Sequence, residues 1–361
     1  MMSGYEPFLT RVMPELVMQR KRRPSAGSRL RGRGGPPAIE IVGLDEAESE
    51  ALLRELYRRY APLLPINDPT RMPLTRGRVA DSFWYLSTRV YGLSGPTAYR
   101  LPIRFPRFAL GMMAYVWAER NDRPDLEQIA RGHEWMREEL RKQHDENPRQ
   151  VADGQLLTDL QGYLASAIGG RIGAALAAVS ALARLLLARP RPDRVALRWW
   201  GKALNTPPGT FSLHEAVAAH LFRTFRSGTD QRGRSAEQLL AAAFLADIDA
   251  HYGLRRRLNR DLPPVILLPA RTPAAHEFLD TLLRAYGVAF PRPPRKRTVT
   301  RPVIVAVGGD GTGGPPPRPL AELESCLNIW TLPVEGDVRE RWMLRVTAAE
   351  APESARTEGA R

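Results

Sequence analysis

The sequence has a single cysteine, little lysine and no long apolar run near its N-terminus. With Cys326 alone among 361 residues, the chain cannot form an internal disulfide framework or a thiolate zinc cluster, and it suits a reducing compartment. Because the first residues lack the apolar core of a secretory signal, we expect no export and a cytoplasmic location. Hydrophobic residues make up 43% and charged residues 25%, which excludes a wholly disordered or coiled-coil chain.

Positive charge exceeds negative charge along the chain. There are 53 Lys and Arg against 39 Asp and Glu, a formal net charge of +14 at pH 7. Such an excess attracts nucleic acid, anionic lipid or an acidic protein without distinguishing among them. The candidate polyanion-binding residues are Arg20, Lys21, Arg22 and Arg23 near the N-terminus, and Arg255, Arg256 and Arg257 after a predicted helix. A further basic stretch runs from Arg292 to Arg301.

Composition divides the chain into an arm, a domain and a tail. Residues 1–37 gather Arg, Gly and Pro, which predicts a disordered basic arm, and the polar residues 348–361 predict a disordered tail. Residues 38–347 predict one α/β domain with a largely helical insertion over about 108–258. Within it, residues 164–188 are rich in Ala and Gly and are interrupted by two arginines, which favours a packing helix over a membrane span. The sequence leaves both alternatives for that segment, with and without contact to a membrane surface.

Short apolar runs alternate with helical patterns in the predicted domain. The runs at 38–42, 265–268 and 303–307 have the length and character of buried parallel strands. Helices are predicted after the first two runs, so we expect a mostly parallel sheet flanked by helices. Three further segments are predicted as extended: Val195–Trp200 as a short strand or extended piece, and Ile329–Pro333 and Met343–Val346 as edge strands.

The first strand runs through Gly43 into a helix, and P-loop proteins place their phosphate cradle at such a position. Counting the GxxxxGK[ST] pattern from Gly43 puts Glu48, Ser49 and Glu50 where Gly, Lys and Ser or Thr belong. Carboxylates at Asp45, Glu46 and Glu48 would complement the helix dipole and take the N–H groups that a phosphate uses. The sequence therefore predicts a junction that repels ATP.

Two further positions of a nucleotide site also lack the required chemistry. Pro269 ends the second strand, where an acidic residue would hold magnesium. The glycines from Gly308 to Gly314 are interpreted as a turn rather than a phosphate loop, because no helix clearly follows them. His214 and His220 are six residues apart, which does not put them on one helix face for a metal. We expect no catalytic residue, no cofactor and no metal site.

Several blocks in order give the chain a family resemblance: RLPIRFPRFALGM, VALRWWG, EQLLAAAFLADIDAHYG, PPVILLPARTPAAHEFLDTLLRAYG and RPVIVAVGGDG. Together they resemble an actinobacterial group of STAND-class (NACHT/AAA-like) P-loop NTPases over about residues 38–335. The resemblance implies that the segment at Gly43 is the Walker A region, that VILLPAR contains the Walker B strand, and that VIVAVGG is the next strand. It implies a P-loop fold and ATP-driven switching and assembly in signalling or defence, in a degenerate member that lacks the Walker A and Walker B residues.

Three functions follow from these observations. The leading hypothesis is a catalytically inactive P-loop-fold scaffold or regulatory protein with a protein partner. The alternative is an ATP-binding STAND-type NTPase with unconventional phosphate contacts from Arg100, Arg104 or Arg107. The second alternative is an adaptor for nucleic acid or an anionic membrane surface.

Overall fold

The computed structural model describes residues 5–18, 36–91, 103–120, 192–205, 213–227, 235–252, 262–289, 300–309, 315–329 and 337–347. The chain divides into two compact units. The first comprises Met1–Phe108 and Arg232–Arg361, and the second comprises Ala109–Gln231.

The first unit is built on a five-stranded, all-parallel sheet with the strand order β2-β3-β1-β5-β4. The strands are β1 Ala38–Val42, β2 Val265–Pro269, β3 Val303–Gly309, β4 Arg318–Pro319 and β5 Met343–Thr347. The predicted parallel sheet is confirmed, and nearly all residues of β1, β2, β3 and β5 are buried, as expected for a sheet covered on both faces.

Helices precede, separate and follow these strands. They are α1 Met13–Met18, preceded by a π-helical turn at Phe8–Val12; α2 Glu46–Tyr60; α3 Val79–Tyr85, continued by a π-helical turn at Leu86–Val90; α4 Pro106–Arg120; α5 Pro192–Ala203; α6 Leu213–Ser227; α7 Ala236–His251; α8 Pro273–Ala289; α9 Leu323–Ile329; and α10 Val338–Trp342. None of these helices is long and apolar enough to cross a membrane.

Parallel register brings the carboxyl ends of the central strands together. Val42 is paired with Gly309, and Pro269 is paired with Val307. The ends of β1, β2 and β3 therefore lie at one edge of the sheet, with the loop at Gly43 and the glycines of β3 side by side. This edge is where open parallel sheets bind ligands.

Two groups of buried side chains surround the sheet. One joins alternate residues of β1, β2, β3 and β5, such as Ile39, Val305 and Val346, to α1, α2 and α9. Their alternation places them on a single face. The other group is aromatic and joins α3, α7 and α8, with Phe83 lying 4.7 Å from Phe278 between ring centroids.

The N-terminal prediction is wrong in part. Residues 5–18 are helical rather than disordered, because Phe8, Met13 and neighbouring apolar residues are buried in the sheet core. Residues 19–35 and 348–361 lie outside the described residues. The second unit spans Ala109–Gln231, which is shorter than the predicted insertion, since α7 belongs to the first unit, and its described elements are helices. The predicted packing helix at 164–188 also lies outside the described residues.

The prediction of an extended Val195–Trp200 is wrong, since this segment lies within α5. Pro192 occupies the first position of the helix, where a missing N–H is harmless. Ala196, Leu197 and Trp200 are buried at helical spacing, and the Trp200 ring lies 6.0 Å from Phe225 of α6. Trp200 is therefore a core residue between α5 and α6.

The two predicted edge strands have different outcomes. Met343–Val346 does form a strand, but β5 lies inside the sheet between β1 and the two-residue β4. Ile329 ends α9, and the rest of the segment predicted as Ile329–Pro333 lies outside the described residues.

Candidate functional site at the β1–α2 junction

The connection from β1 to α2 is very short. Only Gly43 and Leu44 lie between the end of β1 at Val42 and the N-cap of α2 at Asp45. Gly43 has φ +79°, a left-handed conformation that glycine adopts without strain. The chain therefore turns directly from strand to helix, and no longer loop is available to wrap around a phosphate.

The first turn of α2 is capped by its own carboxylates. The Asp45 Oδ1 atom accepts a hydrogen bond from the Glu48 N–H at 2.7 Å, and Glu48 Oε2 accepts one from the Asp45 N–H at 3.2 Å. This capping box takes N–H groups of the helix start that an anion would use. The predicted role of Asp45 and Glu48 agrees with this geometry. Glu50, on the next turn, is exposed and lies 3.6 Å from Arg54.

An arginine from the turn after β2 reaches into this junction. Arg271 Nη2 donates to the carbonyl oxygen of Leu44 at 2.6 Å and to Ser49 Oγ at 3.3 Å. Ser49, at the Walker lysine position of the resemblance, is 3% exposed and its hydroxyl donates to the Asp45 carbonyl at 2.6 Å. The cation at the junction is therefore supplied by the residue that follows the turn after β2.

Arg271 was missed in the sequence analysis. Its signal was its position just beyond β2, because the carboxyl ends of neighbouring parallel strands meet at one edge. At the same place Pro269 contributes no carboxylate, as predicted, and the N–H of Ala270 donates to the Val307 carbonyl at 2.8 Å. His276 Nε2 lies 2.7 Å from the Ala270 carbonyl oxygen. The turn after β2 is thus held by one hydrogen bond to β3 and one to α8.

Gly308 allows Arg271 to lie across the end of β3. Its φ is +87°, and an ideal Cβ at this position would lie 2.7 Å from Ser49 Oγ and 2.8 Å from Arg271 Nε. A side chain at position 308 would therefore displace the contact between Arg271 and the junction. The part of the predicted glycine turn beyond Gly309, up to Gly314, lies outside the described residues.

A buried ion pair lies beside the same edge. Glu40 of β1 and Arg345 of β5 are direct register partners, and Arg345 Nε lies 2.6 Å from Glu40 Oε2. Glu40 is fully buried and Arg345 is 2% exposed. The second carboxylate oxygen of Glu40 makes no hydrogen bond within the described residues and would lie 2.6 Å from an ideal Cβ on Gly309. A glutamate inside the apolar strand AIEIV was the sequence signal for this pair.

Of the arginines that the rival hypothesis assigned to phosphate, Arg104 is exposed and Arg107 contacts α7. Arg107 Nη1 lies 2.7 Å from Asp247 Oδ1 of α7, and the N–H groups of Arg107 and Phe108 both donate to Asp247 Oδ2 at 2.9 Å. Burial raises the pKa of Asp247 to about 7 against the opposing effect of Arg107. Arg107 is therefore part of a structural contact at the start of α4, and Arg100 lies outside the described residues.

The basic segments are only partly described. Arg20–Arg23 and Arg255–Arg257 lie outside the described residues. Arg301, the last residue of the third basic stretch, is buried, with its guanidinium carbon 4.5 Å from the Tyr286 ring centroid and 4.3 Å from that of Trp342. Desolvation lowers the pKa of Arg301 to about 10. Arg301 is thus a core residue, and its inclusion in a surface patch was wrong.

Metal chemistry finds no support in the part of the chain that the structure describes. There, no group of three His, Cys, Asp or Glu side chains could hold a metal ion. Cys326 is buried in the core around α9, where it packs as a small apolar residue.

Comparison of the chain with protein-family models, with curated proteins and with solved structures finds no match. The resemblance to STAND-class NTPases therefore stays a hypothesis that depends on the short sequence blocks and their order.

Proposed function

We propose that this chain is a catalytically inactive scaffold or regulatory protein with a P-loop-type α/β fold, acting through a protein partner in a bacterial signalling or defence system. The observation that carries the proposal is the closure of the β1–α2 junction by Asp45, Glu48 and Arg271. The signalling or defence setting comes from the family resemblance alone.

Electrostatics at the junction opposes a nucleotide. Each carboxylate held about 4 Å from a phosphate would oppose binding by about 1 kcal/mol in water and by up to about 4 kcal/mol near a protein surface. Since about 1.4 kcal/mol is a factor of ten in affinity, Asp45 and Glu48 together would reduce triphosphate binding by orders of magnitude. Arg271 offsets part of this repulsion, but its Nη2 already donates to Leu44 and Ser49.

Isothermal titration of the full chain with magnesium-ATP tests the proposal. We expect no binding stronger than the millimolar range. The Asp45→Asn variant is a matched control. Asparagine also caps helices, so this variant should keep the capping contact at the start of α2 while it removes one negative charge. Micromolar binding to the natural chain would overturn the proposal.

One observation favours the rival function, nucleotide binding with unconventional contacts. Only Nη2 of Arg271 makes a hydrogen bond to the described part of the chain, and the residue as a whole is exposed. A phosphate could approach this arginine from solvent. Under the rival function, magnesium-ATP binds the natural chain and the Arg271→Ala variant loses that binding, whereas under the proposed function both titrations are silent.

A further inference from the structure

The outward face of α2 carries a row of four charged side chains. They are spaced four positions apart, which places them on one ridge of the helix: Glu46, Glu50, Arg54 and Arg58. All four are exposed, and the exposed fraction of the side chain is 63% for Glu50, 71% for Arg54 and 77% for Arg58. The opposite face of α2 packs into the sheet core. The charged row is therefore accessible surface of the first unit.

The sign of the charge changes halfway along this row. Two carboxylates come first and two guanidinium groups follow, an order that also complements the helix dipole. Within the helix, Arg54 Nη2 lies 3.6 Å from Glu50 Oε2, and Arg58 contacts Glu55 beside the row. Exposed contacts of this kind contribute little to stability. The charges of the row can therefore exchange these contacts for contacts with a partner.

A row with this order of charges is complementary to itself when it is turned end to end. In a two-fold dimer every contact between residues i and j occurs twice. If the two-fold axis lies level with Leu52, Glu50 of one copy faces Arg54 of the second copy, and Glu46 faces Arg58. Ridges of residues four apart also interdigitate at the crossing angle that is commonest between packed helices. Each charge of the row then faces an opposite charge.

An exposed apolar side chain follows the end of the same helix. Leu63 is 51% exposed, the highest value for a large hydrophobic side chain among the described residues. Its N–H donates to the Tyr60 carbonyl at 2.9 Å, which keeps it in the turn directly after α2. In the antiparallel arrangement, Leu63 lies beside the β1–α2 turn of the second copy, where Gly43 is exposed. Self-association therefore removes apolar surface from water as well as pairing charges.

We propose that the exposed face of α2, together with Leu63, is a self-association surface whose partner is a second copy of this chain, bound antiparallel about a two-fold axis. A uniformly acidic or basic partner matches only half of the row, whereas an antiparallel copy matches all of it. Because exposed ion pairs are individually weak, we expect a transient dimer. The inference adds self-association to the proposed scaffold role and does not depend on the outcome of the nucleotide titration.

Two charge-reversed chains test this surface. The row is entirely positive in Glu46→Arg/Glu50→Arg and entirely negative in Arg54→Glu/Arg58→Glu. Sedimentation velocity of the full chains follows association up to about 200 μM, in about 0.1 M salt, which screens charges more than about 10 Å apart. The natural chain should dimerise, and each reversed chain alone should show a dissociation constant raised about tenfold or more, because like charges then face each other. An equimolar mixture of the two reversed chains should dimerise again.

The matched control is Arg76→Glu/Arg78→Glu, which makes the same change of net charge at two exposed arginines before α3. This chain should dimerise as the natural chain does. A natural chain that stays monomeric over the whole range would overturn the proposal. A dimer that survives in both reversed chains, or a mixture of the two that does not associate, would also overturn it.

Circular dichroism shows whether each reversed chain keeps its fold. If one of them does not fold, Arg54→Ala/Arg58→Ala decides, because both side chains are exposed and alanine has the highest helix propensity. This variant should raise the dissociation constant of the dimer severalfold. Unchanged association of the folded alanine variant would count against the α2 surface.

Discussion

Glu40 and Arg345 lie directly opposite each other on neighbouring parallel strands and form an ion pair of 2.6 Å at the centre of the sheet. Both side chains are buried, and one Glu40 oxygen has no hydrogen-bond partner in the part of the chain that the structure describes. Desolvation of two charges offsets much of their attraction, so such a pair adds little net stability while the loss of one partner leaves an uncompensated charge.

Removing one member of this pair should therefore cost more than removing both. We expect Arg345→Met to lower the free energy of unfolding by about 3 to 5 kcal/mol, and the double variant Glu40→Gln/Arg345→Met to recover part of that loss. Urea denaturation of the natural chain, both single variants and the double variant measures the coupling. If the losses of unfolding free energy in the two single variants add up to the loss in the double variant, the two side chains are not energetically coupled, and the ion pair does not form as the geometry requires.

Gly308 and Gly77 provide a matched test of the Arg271 contact. Both have positive φ, but an ideal Cβ meets nothing within 4 Å at Gly77 and meets Ser49 and Arg271 at Gly308. Gly77→Ala should cost about 1 to 2 kcal/mol from backbone strain alone. Gly308→Ala should cost about 1 to 3 kcal/mol more, because it also overpacks the junction.

The additional loss of unfolding free energy in Gly308→Ala, relative to Gly77→Ala, should depend on Arg271. When Arg271→Ala is also present, the difference in unfolding free energy between Gly77→Ala and Gly308→Ala should shrink, since the side chain that Gly308→Ala displaces is gone. Thermal or urea unfolding of the four chains measures this. An unchanged difference would mean that Arg271 does not lie across Gly308 in solution.

Local sequence signals were sufficient to predict much of the fold. Continuous apolar runs such as Val265–Leu268 are typical of strands buried on both faces of a parallel sheet, and alternation with helices indicated the α/β class. The start of α2 was also readable, because Asp45 and Glu48 have the spacing of a capping box.

Contacts between residues distant in sequence could not be predicted in this way. Arg271 and Leu44 are 227 positions apart, and only the strand order brings them together. Arg301 has the sequence context of a solvated basic stretch, yet it is buried beside Tyr286 and Trp342. The N-terminal segment was assigned to the basic arm because the arginines that follow it dominated the composition.

The stability of the chain should depend on the ionisation of Asp247. Its pKa in the folded chain is raised by burial to about 7, above the ordinary value of 3.8. Between these two values the folded chain holds the proton and the unfolded chain does not, so this group contributes more stability as the pH falls. Above about pH 7 both states are ionised and the contribution stays constant.

An Asp247→Asn variant removes this titration. Relative to the variant, the natural chain should gain up to about 1.4 kcal/mol per pH unit as the pH falls from about 7 towards 4. Urea unfolding of both chains at pH 7.5, 6.5 and 5.5 measures the difference. If the natural chain instead loses stability relative to Asp247→Asn on acidification, the ion pair with Arg107 outweighs desolvation and the pKa lies below the ordinary value.

A variant of Arg301 can distinguish a role in core packing from a role in polyanion binding. Its guanidinium lies against two aromatic rings, an arrangement that the flexible ammonium of lysine does not reproduce. We expect Arg301→Lys to reduce the free energy of unfolding by about 1 to 2 kcal/mol while leaving any binding of DNA or anionic vesicles unchanged. Arg295→Lys, in the same basic stretch but outside the described residues, is a charge-matched control. A salt-dependent loss of DNA affinity in Arg301→Lys, with stability unchanged, would return Arg301 to the surface and contradict its burial between Tyr286 and Trp342.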